Sequence, residues 1–220
     1  MGKLSIYTFP SGSLGCNCSV IYCDSSKEAI IIDPGDDEQL IMNLVEKQGL
    51  KVKLLLHTHA HFDHISCSKS VKEKTNSKIC LHKGDELLYK NLPAQRSMFG
   101  FSPSDPGSVD EWIEDGQEYS LSFENGEFKD FLTTIHTPGH TEGSCSFYTE
   151  YFEQPILFAG DTLFQSSIGR TDLPGGDFEV IKKSIKERLY RLPDETRVIT
   201  GHGAETQIYH EKKFNPFVSA

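Results

Sequence analysis

Seven potential metal ligands, spread over four short signatures, constrain the fold of this 220-residue chain more than any other feature. The first signature is one run, residues 58–64, which holds four of them; the other three each follow an apolar stretch later in the chain. Five imidazoles and two carboxylates are enough donors for two divalent ions that activate water. A fold that uses them must bring all four signatures together. The seven residues are His59, His61, Asp63, His64, His140, Asp161 and His202.

Each signature directly follows a predicted strand. Loops that leave the ends of neighbouring strands converge on one rim, so we expect the four signatures to meet there. Side chains at i and i+2 of an extended stretch share a face, which lets His59 and His61 bind one ion. Asp63 and His64, past the turn, can face a second ion. The predicted strands are residues 52–57, 131–137, 156–159 and 197–200.

Each of these residues also has an ordinary structural interpretation. Asp63 can be the N-cap of the next helix, and Asp161 can cap its own loop. Asp33 ends an apolar strand before a Pro-Gly pair. It can form that turn or hydrogen-bond the histidine run from behind. The pattern as a whole favours a metal centre, to which the remaining histidines are not assigned because they lack a partner signature: His57, His82, His136 and His210.

The rest of the chain predicts two clusters of strands, each followed by helices. A helix capped by Asp36 or Asp37 is predicted to reach Lys47, with Leu40 and Ile41 on its apolar face. Two packed sheets with helices outside fit this order, which is an α/β fold, and the length fits one domain over residues 1–220. Further predicted strands are residues 4–9, 17–22, 29–33, 78–82 and 144–149, and further predicted helices are residues 66–75, 178–192 and 205–214.

Residues 92–116 interrupt this alternation and are predicted to form a long loop, because they contain three prolines and several glycines. The segment carries Met98, Phe99 and Phe101 among polar residues. Loops of this length in compact domains are often functional lids. The alternative is that the aromatic side chains simply pin the loop to the surface.

Composition narrows the classes of partner. A net charge of −10 and a pI near 5.3 argue against nucleic acid, which favours basic surfaces. The chain has no apolar run of membrane-spanning length, and its N-terminus lacks the apolar core of a signal peptide, so we expect a cytoplasmic protein without a membrane anchor. Its six cysteines contain no Cys-x-x-Cys pair and are expected to be reduced and buried.

The four signatures together resemble those of the metallo-β-lactamase superfamily. They read Thr-His-x-His-x-Asp-His, Thr-Pro-Gly-His-Thr, Gly-Asp-Thr-Leu-Phe and Gly-His-Gly, and the resemblance runs from about Tyr7 to the C-terminus. Within the superfamily the chain is most similar to the hydroxyacylglutathione hydrolase (glyoxalase II) branch, in its short bacterial form without a C-terminal helical domain. Residues 95–100, 167–177 and 215–217 carry that finer similarity.

The resemblance implies a four-layer αββα sandwich with two metal ions and a nucleophilic hydroxide shared between them. It also favours the supporting role for Asp33. Zinc, iron and manganese all suit nitrogen and oxygen ligands, and zinc is the expected metal. The resemblance assigns His59, His61 and His140 to the first ion, Asp63, His64 and His202 to the second, and Asp161 to both.

The same resemblance implies a small-molecule substrate, a 2-hydroxyacyl thioester such as S-lactoylglutathione, with Asp63 and Asp161 as catalytic residues. Arg170 stands where these enzymes place a basic residue, so we expect it to bind substrate; its alternative is an ion pair with Asp172 or Asp177. The long enzymes hold glutathione with basic residues of a C-terminal helical domain, whereas 18 residues follow His202 here. Glutathione is therefore expected to bind weakly.

Three other functions stay open on the sequence. Persulfide dioxygenases, which use one iron, share the histidine run and the Gly-Arg-Thr-Asp segment at residues 169–172, although residues 160–164 resemble the hydrolases more. A metal-binding protein without catalysis is disfavoured because every ligand is present. A nuclease or phosphodiesterase is disfavoured by the acidic charge balance.

Overall fold

Two six-stranded sheets pack face to face in the computed structural model, which describes residues 3–123 and 128–219. Helices cover the outer face of each sheet, and three apolar clusters fill the spaces between the four layers. The predicted four-layer αββα sandwich is therefore confirmed.

The first sheet is built from the N-terminal half of the chain in sequential order. Its first three strands are antiparallel neighbours, and the next three are added in parallel, with helices in the crossovers. Its strands are β1 (Leu4–Ser11), β2 (Cys16–Cys23), β3 (Glu28–Ile32), β4 (Lys51–Leu56), β5 (Lys78–His82) and β6 (Glu111–Ile113).

The second sheet is built from the C-terminal half and runs β14-β13-β10-β9-β8-β7. It is antiparallel except for the neighbouring strands β10 and β13, which are parallel. A separate two-stranded hairpin follows β10. The sheet strands are β7 (Glu118–Ser122), β8 (Phe128–His136), β9 (Cys145–Thr149), β10 (Ile156–Gly160), β13 (Arg197–Thr200) and β14 (Thr206–Gln207), and the hairpin strands are β11 (Leu163–Phe164) and β12 (Ser167–Ile168).

Seven α-helices and two short 3-10 helices connect the strands in the described part of the chain. Asp37 caps the first helix by accepting a hydrogen bond from the Leu40 amide, as predicted. The 3-10 helices are Lys83–Asp85 and Leu189–Arg191. The α-helices are α1 (Glu38–Gln48), α2 (Phe62–Ile65), α3 (Ser68–Thr75), α4 (Glu86–Lys90), α5 (Leu92–Met98), α6 (Phe178–Glu187) and α7 (Ile208–Phe214).

Strand alternation distributes the apolar side chains between layers. On β3, Ala29 and Ile31 face the helices, whereas Ile30 and Ile32 face the second sheet. The second sheet does the same, since Phe158 enters the cluster between the sheets while Leu157 and Ala159 pack under α6 and α7. Each central strand therefore contributes to two apolar layers and is held rigidly at the point where its loop leaves.

The prediction of a loop over residues 92–116 is wrong at both ends. Helix α5 and strand β6 occupy them. Pro93 lies in the first turn of α5, where its missing N–H costs no hydrogen bond, so it starts a helix rather than breaking one. Phe99 and Phe101 pack on Phe62, with ring centroids 4.9 and 5.5 Å away, which agrees with the pinning interpretation of these aromatics.

Several predicted boundaries also need correction. The helix expected over residues 178–192 leaves α geometry after Glu187 and ends in a 3-10 turn. The last helix begins at Ile208, because the two residues before it pair with β13 instead. Strand β7 was not predicted, because its sequence is mostly polar and gives only a weak apolar alternation. Leu40 is 39% exposed, since the apolar face of α1 is centred on Ile41 and Val45.

All six cysteines are free and buried, as expected. None of the helices in the described residues is long and apolar enough to cross a membrane.

Candidate metal centre

The four signatures meet at one edge of the sandwich. The histidine run leaves β4 of the first sheet, and the other three leave β8, β10 and β13 of the second. Backbone hydrogen bonds join the two sheets there. The Cys145 amide donates to the Thr58 carbonyl, and the Asn17 amide donates to the Gly201 carbonyl, both at 2.7 Å. The predicted convergence of the ligand loops is thus what the structure shows.

His59, His61 and His140 form the first ligand group, called here the three-histidine group. Nε2 of His140 lies 3.2 Å from Nε2 of His59 and 2.9 Å from Nδ1 of His61, and the two last atoms are 3.0 Å apart. Nitrogens bound tetrahedrally to zinc at their usual distance are about 3.3 Å apart. The group therefore has nearly the spacing that one ion requires.

Asp63, His64 and His202 form the second ligand group. Nε2 of His202 lies 3.1 Å from Oδ2 of Asp63 and 3.2 Å from Nε2 of His64. Asp63 also lies in the first turn of the short helix α2, but no side-chain cap bond forms there, because His61 occupies the N-cap position. The capping interpretation of Asp63 is thus not the one the structure shows.

Asp161 lies between the two groups and presents one oxygen to each. Its Oδ2 is 3.6 Å from Nε2 of His140, and its Oδ1 is 3.5 Å from Nε2 of His64 and 3.8 Å from Nε2 of His202. Oδ1 is buried and lacks a hydrogen-bond partner. A buried carboxylate oxygen without a donor is costly, so a cation between the groups fits this position.

The charge states of the two groups differ. Burial, helped by neighbouring imidazoles, lowers the pKa of His59 and His61, so both rings stay neutral with free lone pairs. Burial also acts to lower the pKa of His64, but nearby acidic groups raise it well above its usual value. Burial acts to raise the pKa of Asp161, but the surrounding histidines lower it by more, so the net pKa is lowered and the carboxylate is ionised. Neutral imidazoles and ionised carboxylates are the forms that ligate metals, so His59, His61 and Asp161 are in that form, whereas His64 would have to release a proton to bind an ion.

Asp33 supports the histidine run from behind, as the resemblance implied. Its Oδ1 accepts from the Thr58 amide at 2.8 Å, and its Oδ2 accepts from the Thr58 hydroxyl at 2.6 Å and from Nδ1 of His64 at 2.9 Å. Asp33 has a φ of +49°, a strained value that its three hydrogen bonds hold in place. Cys16 also contacts Nδ1 of His64, at 3.4 Å, but that nitrogen already donates to Asp33.

Backbone carbonyls fix two more histidine rings through the nitrogen that faces away from the centre. Nδ1 of His140 donates to the Arg170 carbonyl at 2.7 Å, and Nδ1 of His202 donates to the Leu14 carbonyl at 3.0 Å. Such partners select the tautomer and leave Nε2 facing the other members of its ligand group, where it could bind a metal ion. Arg170 therefore contributes its backbone to the centre, a role that its side-chain chemistry did not predict.

The Arg170 side chain lies on Asp172 in a two-pronged ion pair, with both nitrogen–oxygen distances at 2.8 Å. The two side chains are 54% and 69% exposed. The structure therefore shows the alternative considered from the sequence, an ion pair of Arg170, and the partner is Asp172. Asp177, the other candidate partner, caps helix α6. Solvent screens an exposed pair of this kind, so the guanidinium remains available to an acidic ligand.

Glycines allow the ligand loops to approach closely. A Cβ on Gly201 would lie 1.9 Å from Oδ1 of Asp161, and one on Gly169 would lie 1.8 Å from the Asp161 carbonyl oxygen. Real side-chain atoms are not found at such distances. Gly201 and Gly169 thus provide space beside Asp161 and are not merely turn residues, whereas Gly203, the second glycine of Gly-His-Gly, has no such neighbour.

Two further residues contribute to the site: Asp85, which has no signal in the sequence patterns, and Gln95, which belongs to the segment 95–100 of the finer similarity but was not assigned a role. Asp85 is 2% exposed and accepts three hydrogen bonds from the ligand loops. Gln95 accepts from the Phe62 amide and donates to the Ala60 carbonyl. Both come from segments far from the signatures, so three-dimensional packing reveals them.

The histidines that the sequence did not assign to the centre lie outside the ligand groups. His57 is buried between Cys80 and Ser68, and His82 stacks on His136.

Comparisons with known proteins agree with this geometry. The family model described as the metallo-beta-lactamase superfamily matches residues 11–202. Hydroxyacylglutathione hydrolase GloC of Haemophilus influenzae is 36% identical over 219 residues, which is 99% of each chain.

Two solved structures extend the comparison. BLEG-1, described as a B3 metallo-beta-lactamase, superposes with a TM-score of 0.85 and 35% identity, covering 98% of this chain and 100% of that one. TTHA1623, crystallised in a di-iron-bound form, superposes with a TM-score of 0.84 and 32% identity, covering 96% and 100%. At least one protein with this fold and more than 30% identity therefore binds metal.

Proposed function

Because the chain belongs to the metallo-beta-lactamase superfamily as a metal-dependent hydrolase, we propose that it hydrolyses 2-hydroxyacyl thioesters, S-lactoylglutathione among them, with two divalent ions. Zinc is the proposed metal, and iron or manganese suits the same ligands. The three-histidine group would hold one ion, the second ligand group the other, and Asp161 both.

The position of Asp161 is the observation that carries the proposal. A site for one ion needs a carboxylate near one set of nitrogens, whereas Asp161 directs separate oxygens at two sets. Two ions held by these residues would supply Lewis acidity for a carbonyl and an activated water at neutral pH. This favours a binuclear hydrolase over the dioxygenase alternative, which uses one iron.

The protein's own groups complete the chemistry. Burial acts to raise the pKa of Asp63, but His64 and His202 lower it by more, so the net pKa is lowered and the carboxylate is ionised. An ionised carboxylate can receive the proton of an attacking water. Cys16 does not compete as a nucleophile: it is fully buried, and burial raises the pKa of its thiol to about 12. Water attack therefore needs no covalent intermediate on this thiol.

The substrate class rests on similarity and on leaving-group chemistry. The Haemophilus influenzae relative is named as a hydroxyacylglutathione hydrolase and matches over 99% of both chains. A thiolate leaves with little proton donation, which suits a site rich in ligands and poor in free acids. The Arg170 side chain, exposed beside the His140 loop, offers a planar cation for a substrate carboxylate.

Metal analysis joined to three assays tests the proposal. We expect two ions per chain, cleavage of S-lactoylglutathione, and little oxygen uptake with glutathione persulfide or cleavage of a β-lactam. One ion per chain with oxygen uptake would replace the hydrolase with the dioxygenase. Cleavage of a β-lactam at a higher kcat/KM than any thioester would overturn the substrate class while keeping the metal centre.

A further inference from the structure

Asp85 joins the two loops that carry the three-histidine group. It ends the 3-10 helix after β5 and is buried. Its Oδ2 accepts from the Ala60 amide at 2.9 Å and from the Thr141 hydroxyl at 2.8 Å, and its Oδ1 accepts from the Gly143 amide at 2.7 Å. Ala60 lies between two ligands of the group, and Thr141 directly follows the third.

We propose that Asp85 is a positioning residue that sets the spacing of the three-histidine group and thereby its affinity for metal, while leaving the second ligand group unaffected. This inference rests on the proposed metal centre and deepens it, because it assigns one carboxylate to one of the two ion sites.

The connectivity supports this role. His59 and His61 come from the first sheet and His140 from the second, so the geometry of the group depends on how the two loops are held together. Asp85 is on a third segment and contacts both loops through one oxygen. A shift of either loop would move nitrogens that now lie 2.9–3.2 Å apart. The second ligand group receives none of the hydrogen bonds of Asp85.

Close packing holds Asp85 in this position. A Cβ on Gly143 would lie 2.7 Å from Cγ of Asp85, and a Cβ on Gly84 would lie 2.9 Å from the Gly143 amide nitrogen. The 3-10 helix and the His140 loop therefore touch backbone to backbone, and the short aspartate side chain is the one that spans the remaining gap. A glutamate would be one methylene too long for the same contacts.

The test is a zinc titration in competition with a chelator, which yields two dissociation constants per chain. Asp85→Ala is expected to weaken one site about 10–100-fold, the range for residues that orient metal ligands, and to leave the other unchanged. Asp85→Asn is expected to lose less, because its remaining oxygen can still accept from the Ala60 amide. Asn also preserves the volume, so it serves if the alanine variant does not fold.

Two further variants separate positioning from general stability. Asp110→Ala is the matched control, since Asp110 accepts from the Ile79 amide at the other end of β5 and pairs with Lys72. It is expected to lower the melting temperature without changing either dissociation constant. In a His140→Ala background, which lacks the three-histidine group, Asp85→Ala is expected to have no further effect on zinc binding.

Three results would overturn the proposal: unchanged zinc affinity in Asp85→Ala, an equal loss at both sites, or an equal loss in the alanine and asparagine variants, which would indicate the charge rather than the hydrogen bonds. Failure of the unmodified protein to bind two ions is a different result, because it rejects the binuclear centre itself.

Discussion

Oδ2 of Asp33 lies 2.9 Å from Nδ1 of His64, so that the opposite nitrogen of the ring faces Asp161 and His202. The same carboxylate holds both the amide and the hydroxyl of Thr58 at the start of the histidine run. The single buried side chain of Asp33 thus holds the histidine run at both ends, at Thr58 and at His64.

Asp33→Asn is therefore expected to weaken metal binding at the second ligand group about 10–100-fold, because an amide cannot accept all three hydrogen bonds. Chelator competition measures this loss. Asp37→Ala is the control: it removes the cap of α1 and costs about 1 kcal/mol of stability without changing metal affinity. Equal metal affinity in Asp33→Asn and the unmodified protein would contradict the supporting role of Asp33.

Gly201→Ala is expected to abolish high-affinity binding of at least one ion, since its methyl group would overlap Oδ1 of Asp161. Gly203→Ala, in the same loop, meets no neighbour within 4 Å and has a φ of +71°. It should cost about 1–2 kcal/mol of backbone strain and keep the metal. Metal content and urea unfolding of the two variants distinguish these effects. Similar metal loss in both would mean that loop strain, not steric overlap, is responsible.

Asp161→Ala is expected to reduce metal content and turnover more than Asp63→Ala or His202→Ala, because Asp161 lies beside both ligand groups. Elemental analysis after dialysis should find less than one ion per chain in Asp161→Ala and about one in the other two variants. Retention of two ions and normal turnover by Asp161→Ala would remove the bridging assignment.

Arg170→Ala is expected to raise KM for an acidic thioester with little change in kcat or melting temperature, because solvent screens the exposed pair with Asp172. Arg170→Lys should be intermediate, since an ammonium lacks the planar fork. Asp172→Ala is the matched control, as it removes the pair but leaves the guanidinium. An equal rise in KM for Arg170→Ala and Asp172→Ala would assign the effect to loop order and exclude substrate contact.

The metal-free protein is expected to lose stability as the pH falls below about 6.5, the usual pKa of an unfolded histidine. Burial, with a further contribution from the neighbouring His140 ring, lowers the pKa of His61 in the folded state. Protons then bind the unfolded chain first, so unfolding is favoured by up to about 1.4 kcal/mol per pH unit for this group. His61→Asn should show a shallower pH dependence in urea unfolding of chelator-treated protein. An identical slope would contradict the lowered pKa.

The clustering of the seven predicted ligands could be expected from the sequence because each residue lies in a short local pattern after a strand. His59 and His61 share a face through the two-residue period of extended chain. Asp33 was ambiguous, since a turn aspartate and a supporting aspartate look the same without the Thr58 contact. Gly201 looked like a turn residue, and its steric role depends on Asp161, 40 residues away in the chain.

Other features depend on packing that no local pattern encodes. Pro93 read as a loop residue, yet proline is equally at home in the first turn of a helix. Asp85 follows a strand without any signature, and its importance comes from loops 25 and 56 residues distant. The Arg170 carbonyl has no side-chain signal at all, because every residue in the chain has a carbonyl.

The ligand loops come from both sheets, so a metal ion bound by them would link the two sheets to each other. The backbone contacts of Cys145 with Thr58 and of Asn17 with Gly201 close the seam at this edge, and ions held between His61, His140 and His202 would lock it. Metal binding at this site would then require that the two halves of the chain are packed together. Chelation should speed amide hydrogen exchange along this seam before it affects the far ends of the strands.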